Sequence, residues 1–306
     1  MQFFVNTKYD FIKLARPAIA LSVIVILIGV ISLVVHKGPV YGIDFLGGTS
    51  IELSFQKPVS ISEVRSALTQ AGYGNVEIKS FGASNEILIR VQQEEGGSAI
   101  SDDIIAEIKK AFPNNPSEVK KIERVGPKIG AELRKGGIWA TLISLLGILI
   151  YVSWRFEFVF AVGAIVALIH DVLVTLSFFS LFEKEFTLAV LAAFLTIVGY
   201  SVNDTIVVFD RIRENSKIYR RDTLESIINL SVNQTLSRTI LTSGTVLIVV
   251  LVLFFFGGEV IHDFAYAMLV GCISGSYSTV YIASPIVVEW EKWRQAKKHK
   301  AVLKNA

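Results

Sequence analysis

Six stretches of the chain are apolar over nearly the length a membrane helix needs: roughly 18–35, 138–154, 158–181, 187–209, 238–256 and 264–288. A bilayer crossing takes about 20 helical residues. The second stretch is the shortest and leaves little room for tilt. The last three are rich in Gly, Ser and Thr, which let membrane helices approach closely, so they are expected to pack within a bundle.

The rhythm changes between the first and second stretches. TSIELSF (49–55) alternates apolar and polar positions like a half-buried strand. SISEVRSALTQAG (60–72) opens on a Ser cap, repeats at helical spacing and stops at Gly. NVEIKSF (75–81) and EILIRVQ (86–92) alternate again around GASN and predict a hairpin. SAISDDIIAEIKKAF (98–112) predicts a second helix, halted by Pro113, and SEVKKIERV (117–125) a last strand. The order βαββαβ is the ferredoxin-like arrangement. The expected fold is therefore an α-helical membrane protein of six spans with one α+β domain, residues 36–137, between the first and second. DFLGGT (44–49) has two glycines but no Walker lysine, so it is read as a turn feeding the first strand and not as a nucleotide site.

Composition agrees with a membrane class. Of 306 residues 52% are hydrophobic and 19% charged, and the mean hydropathy is +0.54. Soluble domains are seldom so apolar. The net charge of +3 matters less than where the cations lie. Lys8, Lys13 and Arg16 precede the first span. Arg211, Arg213, Lys217, Arg220 and Arg221 fall in the interval 210–237, and Arg238 stands at its end. Lys292, Arg294, Lys297, Lys298, Lys300 and Lys304 fall in the tail, 289–306. The opposite short connections hold Lys184 and nothing in 257–263. By the positive-inside rule both termini, 1–17 and 289–306, and the 210–237 loop are expected in the cytoplasm, and 36–137 outside it. The basic tail reads as a topology signal, with no nucleic-acid partner called for. The first span lacks a small-x-small cleavage pattern after it and reads as an uncleaved anchor. The single cysteine, Cys272, cannot form an internal disulfide.

Ionisable residues inside spans carry the candidate chemistry. A charge at mid-bilayer costs about 2.5–3.5 kcal/mol on insertion scales, so such a residue faces a partner or water. Asp204 is the leading candidate, with Asn203 and Thr205 beside it and Gly199, Tyr200 and Val207 about one turn away. A buried carboxyl whose distance from an arginine changes can take up and release a proton near neutrality. Arg238, opening the fifth span, is either its counter-ion or an interfacial arginine reaching the headgroups. His170 and Asp171, in the middle of the third span, form either a proton relay or a structural polar knot. Asp222 and Glu225, in RDTLES, fit a capping box for a short cytoplasmic helix ahead of the fifth span. Glu183, Lys184 and Glu185 read as a solvated turn. No metal-ligand cluster, nucleophile constellation or cofactor loop is evident in the sequence.

Four runs carry a resemblance: YGIDFLGGTSIEL (41–53), HDVLVTL (170–176), VGYSVNDTIVVFDRIREN (198–215) and QTLSRTILTSGT (234–245). Together they resemble the SecF family of bacterial protein export, within the resistance-nodulation-division superfamily of proton-driven membrane proteins. The resemblance runs from the first span to the last. It implies an inner-membrane subunit that pairs with SecD into a twelve-span pseudo-symmetric unit, associates with the SecYEG channel and often YajC, and uses the proton-motive force to pull preproteins outward. It also implies proton-transport roles for Asp204 and Arg238. A small-molecule exporter of the same superfamily and an uncoupled scaffold are the competing readings.

Overall fold

In the computed structural model, described over residues 7–91 and 99–304, α1 (Phe11–Val35) leads into β1 (Val40–Tyr41), α2 (Ile43–Leu46), β2 (Gly48–Phe55), α3 (Ile61–Gln70), β3 (Glu77–Phe81), β4 (Ala83–Val91), α4 (Ala99–Ala111) and β5 (Ser117–Val125). Then come α5 (Pro127–Arg155), α6 (Phe158–Leu181), β6 (Glu185–Phe186), α7 (Leu188–Ile218), α8 (Leu224–Phe256), α9 (Glu259–Ser278), a π-helical turn (Thr279–Ala283) and α10 (Ser284–Lys304). Six helical segments are long and apolar enough to cross a membrane, the last running through α9, the π turn and α10.

The α+β unit has a four-stranded antiparallel sheet in the order β3-β4-β2-β5. Alternation decides which face is buried. Ile51, Leu53 and Phe55 of β2 and Ile87 and Ile89 of β4 sit in one cluster with Val64 and Leu68 of α3 and Ile104 and Ile108 of α4. The predicted cap of α3 is present as a full capping box between Ser60 and Glu63. The hairpin differs from the expected GASN turn. Gly82 alone turns the chain, with φ +74, and Phe81 pairs with Ala83, so Ala83–Asn85 extend β4. Gln92 and Ser98, at the ends of two predicted elements, lie outside the described residues.

The helices outrun their apolar stretches. α5 starts at Pro127, whose ring suits the first helical position. The interval 210–237, expected as a loop, is helical except at 219–223. Asn215 Nδ2 donates to Ser231 Oγ and to Gln234 Oε1, both at 2.8 Å, and so zips α7 to α8. The cap of α8 is Thr223 and not the expected Asp222: the Thr223 hydroxyl accepts from Ser226 N–H at 3.3 Å. The expected short helix is thus continuous with the fifth span. The basic tail continues as helix α10.

α1 meets the bundle through a narrow stripe: Phe11, Ala15, Ser22, Gly29 and Ser32. A Cβ on Gly29 would overlap the Ser177 side chain, which marks a close crossing with α6.

The α+β unit is joined to the membrane helices at several points. β1 and β6 pair in parallel, Val40 with Glu185 and Tyr41 with Phe186. Asp44 Oδ2 accepts from Leu188 N–H at 2.8 Å, at the start of α7. Gly47 (φ +80) and Gly48 (φ +141) adopt a backbone that favours glycine. A Cβ on Gly130 of α5 would come within 2.9 Å of Gly47 N. The DFLGGT segment, expected as a plain turn, is therefore a helical turn and a close-packed joint. Glu185, expected in a solvated turn, is buried and ion-pairs with Arg90 of β4. Its backbone N–H donates to Asp263 Oδ2 at 3.2 Å. Burial pushes the Glu185 carboxyl above its ordinary value, against the pull of the Arg90 guanidinium.

Candidate functional site

Two carboxyls lie in the core of the helical bundle, and the chain treats them differently. Asp171 of α6 is almost wholly excluded from solvent, at 1% exposure. Its Oδ1 accepts from Ser274 Oγ at 2.6 Å and faces His170 Nδ1 at 3.0 Å. Its Oδ2 accepts from Ser201 Oγ at 2.6 Å and Ser278 Oγ at 2.8 Å. The four partners come from α6, α7 and α9, so one carboxyl ties three helices together.

The knot reaches α1 through a chain of hydroxyls. Tyr277 O–H donates to the Ala18 carbonyl at 2.6 Å. Ser22 O–H donates to Tyr277 Oη at 3.1 Å. The contact between His170 Nε2 and Ser22 Oγ, at 2.9 Å, is then satisfied by an N–H on Nε2. The His170 ring thus links the Asp171 carboxyl to Ser22 of α1.

Asp204 of α7 is also buried, but only half satisfied. Thr239 Oγ1 of α8 donates to its Oδ1 at 2.7 Å. Its Oδ2 is buried with no hydrogen-bond partner among the described residues. The Thr279 hydroxyl stands beside the carboxyl and is itself shared with Thr205 Oγ1 at 2.9 Å and the Gly275 carbonyl at 3.1 Å. Thr279 opens the π turn, a local widening often found where a helix carries function.

The predicted site residues thus fall into three groups. Asp204 and Thr205 share one polar layer with Thr239 and Thr279, while His170 and Asp171 form the separate knot. Asn203 is exposed. Arg238 is exposed too, and it makes no direct ion pair with Asp204 within 4 Å, although it is near enough to attract it electrostatically. The reason is helical phase: Thr239 points at Asp204, and its neighbour Arg238 is turned about 100° round the helix.

Comparison with known proteins places this geometry. The family model described as protein export membrane protein SecD/SecF, C-terminal, matches residues 104–293. The chain belongs to the SecF family. A second model, the SecD/SecF GG motif, matches residues 32–59, which contain the Gly47–Gly48 joint. The protein translocase subunit SecF of Desulfurispirillum indicum is 48% identical over 286 residues, covering 92% of this chain and 91% of its own. That of Vibrio alginolyticus is 43% identical and covers 91% and 89%. Among solved structures, SecDF from Thermus thermophilus, described as a translocon-associated membrane protein, superposes with a TM-score of 0.85 at 37% identity. The match covers 95% of this chain and 40% of that one. SecDF in a super-membrane-facing form gives a TM-score of 0.74 at 36% identity, covering 98% and 41%.

The sequence reading missed the hydroxyl ligands of this SecF-family bundle: Ser201, Ser274 and Ser278 around Asp171, and Thr239 and Thr279 around Asp204. The signal lay in their spacing. Ser274 and Ser278 are four residues apart and so share a helix face.

Proposed function

We propose that this chain is the SecF subunit of a bacterial SecDF complex. In this reading it pairs with a SecD chain, associates with SecYEG and YajC in the inner membrane, and uses the proton-motive force to promote preprotein translocation on the extracytoplasmic side. The α+β unit is a ferredoxin-like domain outside the membrane. Both termini are cytoplasmic, a reading that the distribution of Lys and Arg supports. The chain acts by proton-coupled movement without a chemical active site and needs no cofactor. The similarity to SecDF structures over a part of their length supports the pairing with SecD.

The observation that carries the coupling is the half-satisfied Asp204 carboxyl. It has one donor from Thr239 and one bare, buried oxygen. A carboxylate there is poorly compensated and a protonated acid is not, so the site favours proton uptake when Arg238 is displaced and release when it approaches. Protonation would change the attraction between α7 and α8, and the rigid joint at Gly47 and Gly130 would pass the movement to the α+β domain.

The test is export of a reporter preprotein in cells depleted of the native copy, comparing wild type with Asp204→Asn and Arg238→Ala at matched membrane levels. Loss of export with retained co-purification of SecD supports coupling. Normal export in both variants makes the chain a scaffold.

A further inference from the structure

Buried polar atoms are nearly always paired, so the exceptions are informative. Among the described residues, four buried side-chain atoms have no hydrogen-bond partner: Thr7 Oγ1, Arg90 Nε, Tyr200 Oη and Asp204 Oδ2. The last two are the ones inside membrane helices. Both belong to α7, four residues apart, which places them on one face about 6 Å apart along the axis.

Their surroundings repeat. Asp204 stands level with Thr239 of α8 and Thr279 at the start of the π turn. One turn away, Tyr200 faces Ser243 of α8 and Ser276 of α9, whose hydroxyls bond to each other at 2.7 Å. Ser243 follows Thr239 by four residues and Ser276 precedes Thr279 by three, so each helix carries both layers on one face. The same three helices therefore build two stacked polar layers. The second layer lies on the side of the bundle that bears the α+β unit, since α7 begins there at Leu188 beside Asp44. Beyond it the core is apolar, with Phe179, Phe194, Ile197, Val250, Met268 and Cys272 in one cluster.

We propose that Tyr200 is a proton-relay residue, passing protons between Asp204 and water that enters from the domain side when the apolar cluster parts. The inference rests on the proton-coupled reading of Asp204. The step balances. A hydronium gives its proton to a lone pair of Tyr200 Oη while the phenolic O–H proton passes to a water bridging the two unpaired atoms, and that water gives a proton to Asp204 Oδ2. Water and neutral Tyr200 remain, Asp204 becomes a neutral acid, and rotation of the hydroxyl resets the relay. The Ser243–Ser276 pair stands beside the hydroxyl and bonds to itself, which leaves Tyr200 Oη free to pass a proton.

The test uses membrane vesicles or proteoliposomes holding the full chain with its SecD partner. Proton flux is followed by an internal pH-sensitive dye, and export by protection of a reporter preprotein. Tyr200→Phe removes one oxygen and keeps the ring. Its proton flux is expected to fall roughly a hundredfold, the low end of what a positioned proton-transfer group supplies. Partner co-purification and thermal stability should hold. Asp204→Asn is the control. If Asp204→Asn stops flux and Tyr200→Phe does not slow it, the relay is overturned and the reading of Asp204 stands. If Asp204→Asn leaves flux and export normal, both fall. Should Tyr200→Phe fail to assemble, the double variant Ser243→Ala with Ser276→Ala leaves Tyr200 in place and removes the polar layer beside its hydroxyl. Slowed flux supports the relay, and unchanged flux overturns it.

Discussion

Asp171 and Asp204 are two carboxyls in one bundle, both buried, and they differ in how completely their oxygens are used. Asp171 has four partners from three helices. Asp204 has one direct donor and a bare oxygen. Burial alone would rank Asp171 as the more important group for function. Hydrogen-bond satisfaction reverses the order. A carboxyl with every acceptor site filled by the fold cannot change its proton inventory without breaking the fold. One left incomplete can do so at small structural cost.

The sharpest way to break this contrast is Asp171→Ala. It strands three serine hydroxyls and the His170 ring and releases α6 from α7 and α9. At roughly 0.6 kcal/mol for each of the four contacts, with about 1–3 kcal/mol for a donor left buried and unmade, the loss should be about 3–5 kcal/mol. Lowered thermal stability and yield of the detergent-purified complex would show it. Asp204→Asn should do the reverse: an amide oxygen can still accept from Thr239 and Oδ2 has no partner to lose, so stability should fall far less than in Asp171→Ala while proton flux and export are lost. If the two variants show the same pattern, satisfaction is the wrong criterion.

A smaller effect is expected at the joint. The native Glu185 carboxyl titrates above its ordinary value of 4.5 because it is buried. The native state therefore holds this proton more tightly than the unfolded chain does. Its contribution is fully present below pH 4.5 and is lost as pH rises through the native value. Thermal unfolding of wild type and Glu185→Gln between roughly pH 4 and 7 should show a falling component with rising pH that the variant lacks. The smallest effect is expected at Asn203. It neighbours Asp204 in sequence but is exposed, so Asn203→Ala should leave stability within about 0.5 kcal/mol by the same thermal assay.

Much of the fold was legible because its signals are periodic. Six apolar runs announce six spans, and alternation at 49–55 and 86–92 announces the sheet. The helix ends were not, since α5, α7 and α8 continue past the apolar pattern on caps and side-chain zips such as Asn215 to Ser231. Asp204 stood out because an acid in an apolar run is rare. Its partners did not, because Ser and Thr also occur wherever membrane helices pack closely. Arg238 lies near Asp204 without a direct ion pair because it is one residue of helical phase away from Thr239. Glu185 was misread because its partner, Arg90, lies 95 residues away, beyond any local pattern.

The π turn at Thr279–Ala283 has a mechanical consequence for the sixth span. A wide turn takes up about one residue more than an α turn, so the helix beyond it is displaced in phase by about 100° from a straight continuation. The α9 portion keeps its serines on Asp171, while the α10 portion turns Val287 and Val288 into the other apolar core. One rod thus serves two cores: one of its faces closes the Asp171 knot, and a face about 100° round from it closes the apolar core beyond Asp204.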